Sequence, residues 1–270
     1  MLQQNIFLNY GLNFNNTVNL ANNSSTPAPA PTSAPQTAAV WGCDKTAAPA
    51  YEPPVSQGFA GFLDNFSSNF GGPGNDSQYA FGGWGNDRIR QYGGRGSDYQ
   101  FAGGGGGWDR IRQHGGLGRD VQRARGGGGR DRIVQRGGRG ADFQKAHGGR
   151  GSDRIIQRGG RGNDTQIARG GRGNDLIRQS GGPGHDRSVA RGGRGNDKMV
   201  YRAGRGQNSA VLNGGRGSDR AVIRAGNRDL TVKDAKGRVL YSQGEGGSTV
   251  TVRNVEKLKI RGAGGKKVFG

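Results

Sequence analysis

The chain has little of what usually builds a globular core. A single cysteine, Cys43, stands among 270 residues, so no internal disulfide can staple the fold. Hydrophobic residues make up 30% and aromatics 7%. No run of 18 apolar residues occurs, which excludes a transmembrane helix of about 20 residues. The opening MLQQNIFLNYGLNF lacks a basic n-region and a continuous apolar stretch, so a cleaved secretory signal is not expected. Acidic residues are scarce: 20 Asp and Glu stand against 40 Lys and Arg, a net charge of +20 and a pI of about 11.1. Catalytic motifs are missing too. His114, His147 and His185 have no partner at metal-site or triad spacing, and no G-x-x-x-x-G-K-[ST] phosphate loop occurs. The expectation is a chain that is not an enzyme and has no small-molecule substrate.

What is abundant is glycine, 57 residues of it. Such a composition suggests disorder unless a fixed period is present. Here the period is plain. From 71 to 224 the chain divides into fourteen blocks of eleven, each reading G-G-x-G-x-D and then five residues. The glycine-rich start predicts a six-residue tight turn, and the remaining five residues predict a short strand. Alternate blocks carry different codes, with Gln78 and Ala80 in one and Ile89 and Gln91 in the next, so the unit is 22 residues with two strands per turn. Positions eight and ten of each block share one face, and positions seven, nine and eleven share the other. Arginine and lysine populate the second set. The first must then point inward, forming an Ile–Ala layer and a glutamine ladder whose members hydrogen-bond along the stack. The predicted fold is all-β: a parallel β-roll or β-solenoid of about seven turns, on the order of 34 Å long, closed by a C-terminal β cap.

The acidic residues of the array are confined to one position. There is no glutamate between Gly71 and Arg224, and all thirteen aspartates occupy position six: Asp76, Asp87, Asp98, Asp109, Asp120, Asp131, Asp142, Asp153, Asp164, Asp175, Asp186, Asp197 and Asp219. Stacking would align them in columns that repel unless neutralised. Stretches such as GGPGNDSQY, GGWGNDRIR and GGRGNDLIR resemble the hemolysin-type calcium-binding (RTX) family, whose repeat GGxGxDxUx builds a calcium-bound β-roll. The resemblance covers residues 71–224. It implies Ca2+ held by the thirteen aspartates with turn carbonyls, type I-like secretion to the cell surface or outside, and a role as a surface, matrix or scaffold protein, self-assembling or filamentous. This chain departs from the family in three ways. The repeat is eleven residues instead of nine, glutamine replaces the apolar residue in alternate blocks, and the array carries 29 Lys and Arg against 13 Asp. The charge balance opens a second route, in which position-three guanidiniums (Arg95, Arg139, Arg150, Arg161, Arg172, Arg194, Arg205, Arg216) neutralise the columns without metal. The metal-free chain would be cytoplasmic.

Outward strand positions carry Arg88, Arg90, Arg110, Arg112, Arg132, Arg154, Arg178 and Arg220. A regular basic face suits a polyanion such as nucleic acid, acidic polysaccharide or lipopolysaccharide. Tyr79, Phe81, Trp84, Tyr92, Tyr99, Phe101 and Trp108 add stacking surface. Around the array, residues 1–23 alternate as an N-terminal arm with strand character, and 24–57 read as a Pro/Ala/Ser/Thr-rich linker. Residues 58–70 have the helical spacing of a short amphipathic cap, and 225–270 form the β cap that a solenoid end requires.

Overall fold

The computed structural model describes residues 56–57, 63–226, 229–244, 247–262 and 267–269. The arm 1–23, most of the 24–57 linker and Cys43 lie outside these described residues. The fold is an all-β solenoid of about eight turns, with two strands per 22-residue turn. Successive strands fall alternately into two sheets. The eleven-stranded sheet takes Ser56–Gln57, Ser77–Trp84, Tyr99–Gly106, Val121–Gly128, Phe143–Arg150, Thr165–Arg172, Arg187–Arg194 and Ser209–Arg216, then the cap strands Ser248–Arg253, Leu230–Lys233 and Val239–Gln243. The ten-stranded sheet takes Phe66–Phe70, Arg88–Arg95, Arg110–Leu117, Arg132–Arg139, Arg154–Arg161, Leu176–Ser180, Lys198–Arg202 and Arg220–Gly226, then Lys257–Gly262 and Lys267–Phe269. Within the array every pairing is parallel and in 22-residue register, for example Ile133 with Ile155 and Gln135 with Gln157.

Two expectations are corrected by the strands themselves. Most run for eight residues, through position eleven and into positions one to three of the next block. The first two glycines therefore pair in the sheet, Gly138 with Gly160 for instance, and the turn is confined to positions four to six. At Gly149 φ is 128°, and a Cβ there would strike the carbonyl oxygen of Gly127 one turn away. Only glycine both adopts that conformation and lets the rungs close. Where proline occupies position three, the strand ends early and only isolated bridges remain, Pro73 to Arg95 and Pro183 to Arg205. The second correction concerns the amphipathic cap. Phe66–Phe70 is a strand paired with Arg88–Arg95. Residues 60–70 are a degenerate block whose Asn65 stands where later blocks have aspartate, so the 22-residue register overrides the helical spacing of the phenylalanines. Phe66 and Phe70 are 63% and 74% exposed, which is the cost of that register.

The interior follows the predicted parity. Ile89, Ile111, Ile133, Ile155 and Ile177 and the alanines Ala80, Ala102, Ala124, Ala146 and Ala168 are all buried. Beside this layer run two glutamine ladders. In one, Gln100, Gln122, Gln144 and Gln166 each donate from Nε2 to Oε1 of the preceding glutamine at 2.9–3.1 Å. In the other, Gln113, Gln135, Gln157 and Gln179 do so at 2.8 Å. The second Nε2 proton goes to a backbone carbonyl of the facing strand, as Gln144 does to Arg158 at 3.0 Å and Gln157 to Ile167 at 3.1 Å. Each amide between the ladder ends is thereby satisfied, which a fully buried glutamine requires. Ser188 Oγ closes one ladder on Gln166 Oε1 at 3.2 Å. The other ends unclosed, because Tyr201 replaces glutamine and Gln179 Oε1 has no partner.

The predicted β cap is present. Ser248–Arg253 and Lys257–Gly262 add a parallel rung to each sheet, Leu230–Lys233 adds a further parallel strand beside Ser248–Arg253, and the antiparallel pairs Leu230–Lys233 with Val239–Gln243, and Lys257–Gly262 with Lys267–Phe269, close the edges. Val250, Val252, Leu230 and Ile260 extend the core into it.

Candidate functional site

Position six is the first candidate. The turns align the aspartates in two columns, one on each side of the solenoid. All but half-buried Asp76 are at most 3% exposed. In each column, Oδ1 accepts the backbone N–H of the aspartate one turn earlier. Asp109 takes it from Asp87 at 2.8 Å, Asp131 from Asp109 at 2.9 Å, and Asp142 from Asp120 at 2.9 Å. Position five forms a counter-running ladder. The side chain of Asn163 accepts from the N–H of His185 at 2.9 Å, and Asn174 from Asn196 at 2.7 Å. That second ladder was not anticipated, although the recurrence of Asn and Ser before the aspartate was its signal.

The expected arginine neutraliser does not sit at the columns. Among the described residues no arginine of the array lies within ion-pair distance of a column aspartate. The ion pair Arg238–Asp234, at 2.6 Å, belongs to the cap. The position-three arginines are exposed and stack on each other, as Arg139 does with Arg161 in register. The calcium set implied by the RTX resemblance meets a geometric obstacle. Calcium takes about six to eight oxygens. Oδ1 of every column aspartate but Asp76 is already engaged by an N–H. A Cβ built on Gly126 would meet both Asp131 Oδ2 and the carbonyl oxygen of Gly148, so these two acceptors lie side by side. Among the described residues no group of three or more acidic, histidine or cysteine side chains converges. The side chains alone supply too few oxygens for a calcium ion.

Burial raises the column carboxyls above the usual carboxylate range: to about 7 for Asp131, Asp164 and Asp175 and to about 6 for Asp98, Asp109, Asp120 and Asp197. Desolvation is the largest cause, and the accepted backbone hydrogen bond opposes it.

The second candidate is the outer face of the ten-stranded sheet. All eight arginines singled out from the sequence lie on it: Arg88, Arg90, Arg110, Arg112, Arg132, Arg154, Arg178 and Arg220. Register places Arg88, Arg110, Arg132 and Arg154 in one continuous file, which continues through Leu176, Lys198, Arg220 and Lys257. Neighbouring rungs are about 4.8 Å apart. A parallel file at position eleven, with Arg136, Arg158, Arg202 and Arg224, was passed over in the sequence, although its parity is the same. At positions seven, nine and eleven of the array blocks this sheet holds no acid and 13 Lys and Arg, against six on the other sheet. Nε of Arg90 and of Arg154 is buried and has no acceptor.

The aromatics are placed differently from the expectation. Tyr79, Phe81, Tyr99 and Phe101 lie on the eleven-stranded sheet, away from the arginine files, and pack on each other at 5.5–6.5 Å. Arg123 and Arg125 already cover Tyr99 and Phe101, each at 5.8 Å. On the basic sheet Phe70 stacks on Tyr92 at 5.0 Å, and Arg90 lies over Phe66 at 5.7 Å. His114 and His147 are exposed at position eleven, and both are shifted below the ordinary imidazole value by burial and neighbouring arginines. No helix among the described residues is long and apolar enough to cross a membrane. No protein-family model, curated protein or solved structure matches the chain.

Proposed function

We propose that this solenoid is a non-enzymatic, metal-independent module that binds a polyanion along the outer face of its ten-stranded sheet. The observation that carries the reading is the in-register file Arg88, Arg110, Arg132 and Arg154 on a face without acid. Guanidiniums held at a fixed repeat cannot relax away from one another, so an array of this kind stores repulsion that a polymeric anion relieves. The exposed guanidiniums of Arg88, Arg110 and Arg132 offer donors that phosphate, sulfate and carboxylate oxygens accept. The contact is electrostatic and follows backbone charge instead of base identity. Counter-ion release then sets affinity, with log K falling against log salt at a slope of about −0.9 per phosphate neutralised.

The test is titration of the full chain with a labelled DNA duplex of arbitrary sequence and, separately, with a polyuronate, each over a range of salt and in excess chelator. Binding to either that weakens steeply with salt and survives chelation supports the proposal. The double variant Arg110→Glu, Arg132→Glu is expected to lose most of the affinity. Arg169→Glu, Arg191→Glu on the other sheet is expected to keep most of it. Equal losses from the two pairs, or binding only with calcium present, would favour the calcium-loaded scaffold that the repeat resemblance implies.

A further inference from the structure

The column carboxyls have an oxygen too many. Oδ1 accepts an N–H, but Oδ2 of Asp87, Asp98, Asp109, Asp131, Asp153 and their like is buried without any donor. Its neighbour is another acceptor. The same point in space beside Gly126 touches Asp131 Oδ2 and Gly148 O, and beside Gly148 it touches Asp153 Oδ2 and Gly170 O. Two buried acceptors facing each other are unfavourable unless a proton or a cation lies between them.

The first rung shows what belongs there. Asn65 occupies the column position ahead of Asp87, receives the same register, and donates from Nδ2 to Gly82 O at 2.7 Å. Its offset of 17 residues is that of Asp131 to Gly148. At the far end of the other column Asn208 replaces aspartate, and its Oδ1 accepts the N–H of Asp186 at 2.8 Å as an aspartate would. A carboxamide is the isostere of a protonated carboxylic acid. The exceptions fit as well. In the two proline-containing turns Gly72 and Gly182 turn an N–H inward and donate to Oδ2 of Asp76 and Asp186 at 2.9 and 2.8 Å. Those two carboxyls are dressed as carboxylates, while the others are dressed as acids.

We infer that the column aspartates outside the proline turns are held as neutral carboxylic acids, each donating its Oδ2 proton to the position-one glycine carbonyl of the next turn or, at Asp219, to the carbonyl of Asn254. The solenoid is thus neutralised by protons where its repeat resembles one neutralised by calcium. The ionisable groups facing each carboxyl are its column neighbours above and below. Asp64 adds to the first end, Glu256 stands over Asp219, and His185 lies beside Asp186. All but the histidine are acids, and no lysine or arginine among the described residues comes within ion-pair reach to favour the charged form. The raised values, about 6 to 7 for seven of these groups, agree with this. A folded-state value above the unfolded one means the native chain binds more protons. Stability is then complete below the unfolded value, near pH 4, and declines as pH rises through about 6 to 7. Each acid changes the folding equilibrium about tenfold per pH unit within that window. The neutral columns also leave the basic face unbalanced, since 29 Lys and Arg of the array then stand against few ionised aspartates.

The experiment is thermal unfolding of the full chain by circular dichroism from mildly acid to mildly alkaline pH, without polyanion, in chelator and again with added calcium. Infrared spectroscopy of the carboxyl region accompanies it. The expected result is a midpoint that falls as pH rises, no shift with calcium, and a protonated-acid carbonyl band that persists near neutrality. Asp131→Asn and Asp164→Asn should fold, reduce the band, and together remove about a hundredfold per pH unit from the dependence. A midpoint that rises with pH, a calcium-dependent stabilisation reversed by chelator, or the absence of the band in the parent chain would overturn the inference. Because no polyanion is present, failure of the basic face to bind DNA or polyuronate leaves these results unaffected.

Discussion

Replacing Gln135 by leucine is the sharpest test of how this thin core is held. Gln135 is fully buried in the middle of its ladder. Its Nε2 donates to Gln113 Oε1 at 2.8 Å and its Oε1 accepts from Gln157 Nε2 at 2.8 Å. Leucine fills a similar volume, so the cavity term is small. What is lost is polar satisfaction. Gln113 Oε1 is left buried without a donor, at about 1–3 kcal/mol. Gln157 keeps its bond to Ile167 O at 3.1 Å and loses one net hydrogen bond, about 1 kcal/mol. The expected cost is about 2–4 kcal/mol, against about 1 kcal/mol for Ile133→Val in the adjoining apolar layer. Gln179→Leu is the control. It strands Gln157 Oε1 but removes the already unpartnered Oε1 of Gln179, so the two effects offset and the change is near zero. Chemical denaturation of the three variants and the parent, followed by circular dichroism, measures the differences. If Gln135→Leu and Gln179→Leu both matched the parent, the ladders would be passengers and the reasoning wrong.

Gly149→Ala should destabilise by about 2 kcal/mol or more, since φ of 128° is unfavourable for alanine and its Cβ meets the Gly127 carbonyl; the same denaturation assay reads it. Gly148→Ala has ordinary φ but drives a methyl onto Asp153 Oδ2 and the Gly170 carbonyl, and is expected to unfold part of the array, visible as lost amide protection around residues 148–175. Each arginine removed from the file Arg88 to Arg154 should reduce the salt slope of DNA binding by about one. Val250→Lys places a charge in the buried last rung and should cost about 3 kcal/mol or more, with exposed strand edges showing as aggregation in light scattering.

The period was enough to establish a good deal. An eleven-residue block with two alternating codes dictates a two-strand turn, because inward and outward parity follows from a backbone whose side chains alternate. The Ile–Ala layer, the glutamine ladders, the outward arginines and the β cap are all local consequences of that alternation, legible residue by residue. Other features depend on atoms 22 residues apart, and only the tertiary structure decided them. That Phe66–Phe70 is a strand and not a helical cap came from pairing with Arg88–Arg95, which outweighs its own spacing. That glycines one and two lie in the sheet came from rung-to-rung closeness. The two faces of the solenoid differ because all eight predicted arginines land on one sheet and most aromatics on the other. The aspartates turn inward to an N–H and a carbonyl, away from arginine. A repeat states which residue types recur, but the protonation of a carboxyl is set by the desolvation and the donors around it, and those exist only once the turns have stacked.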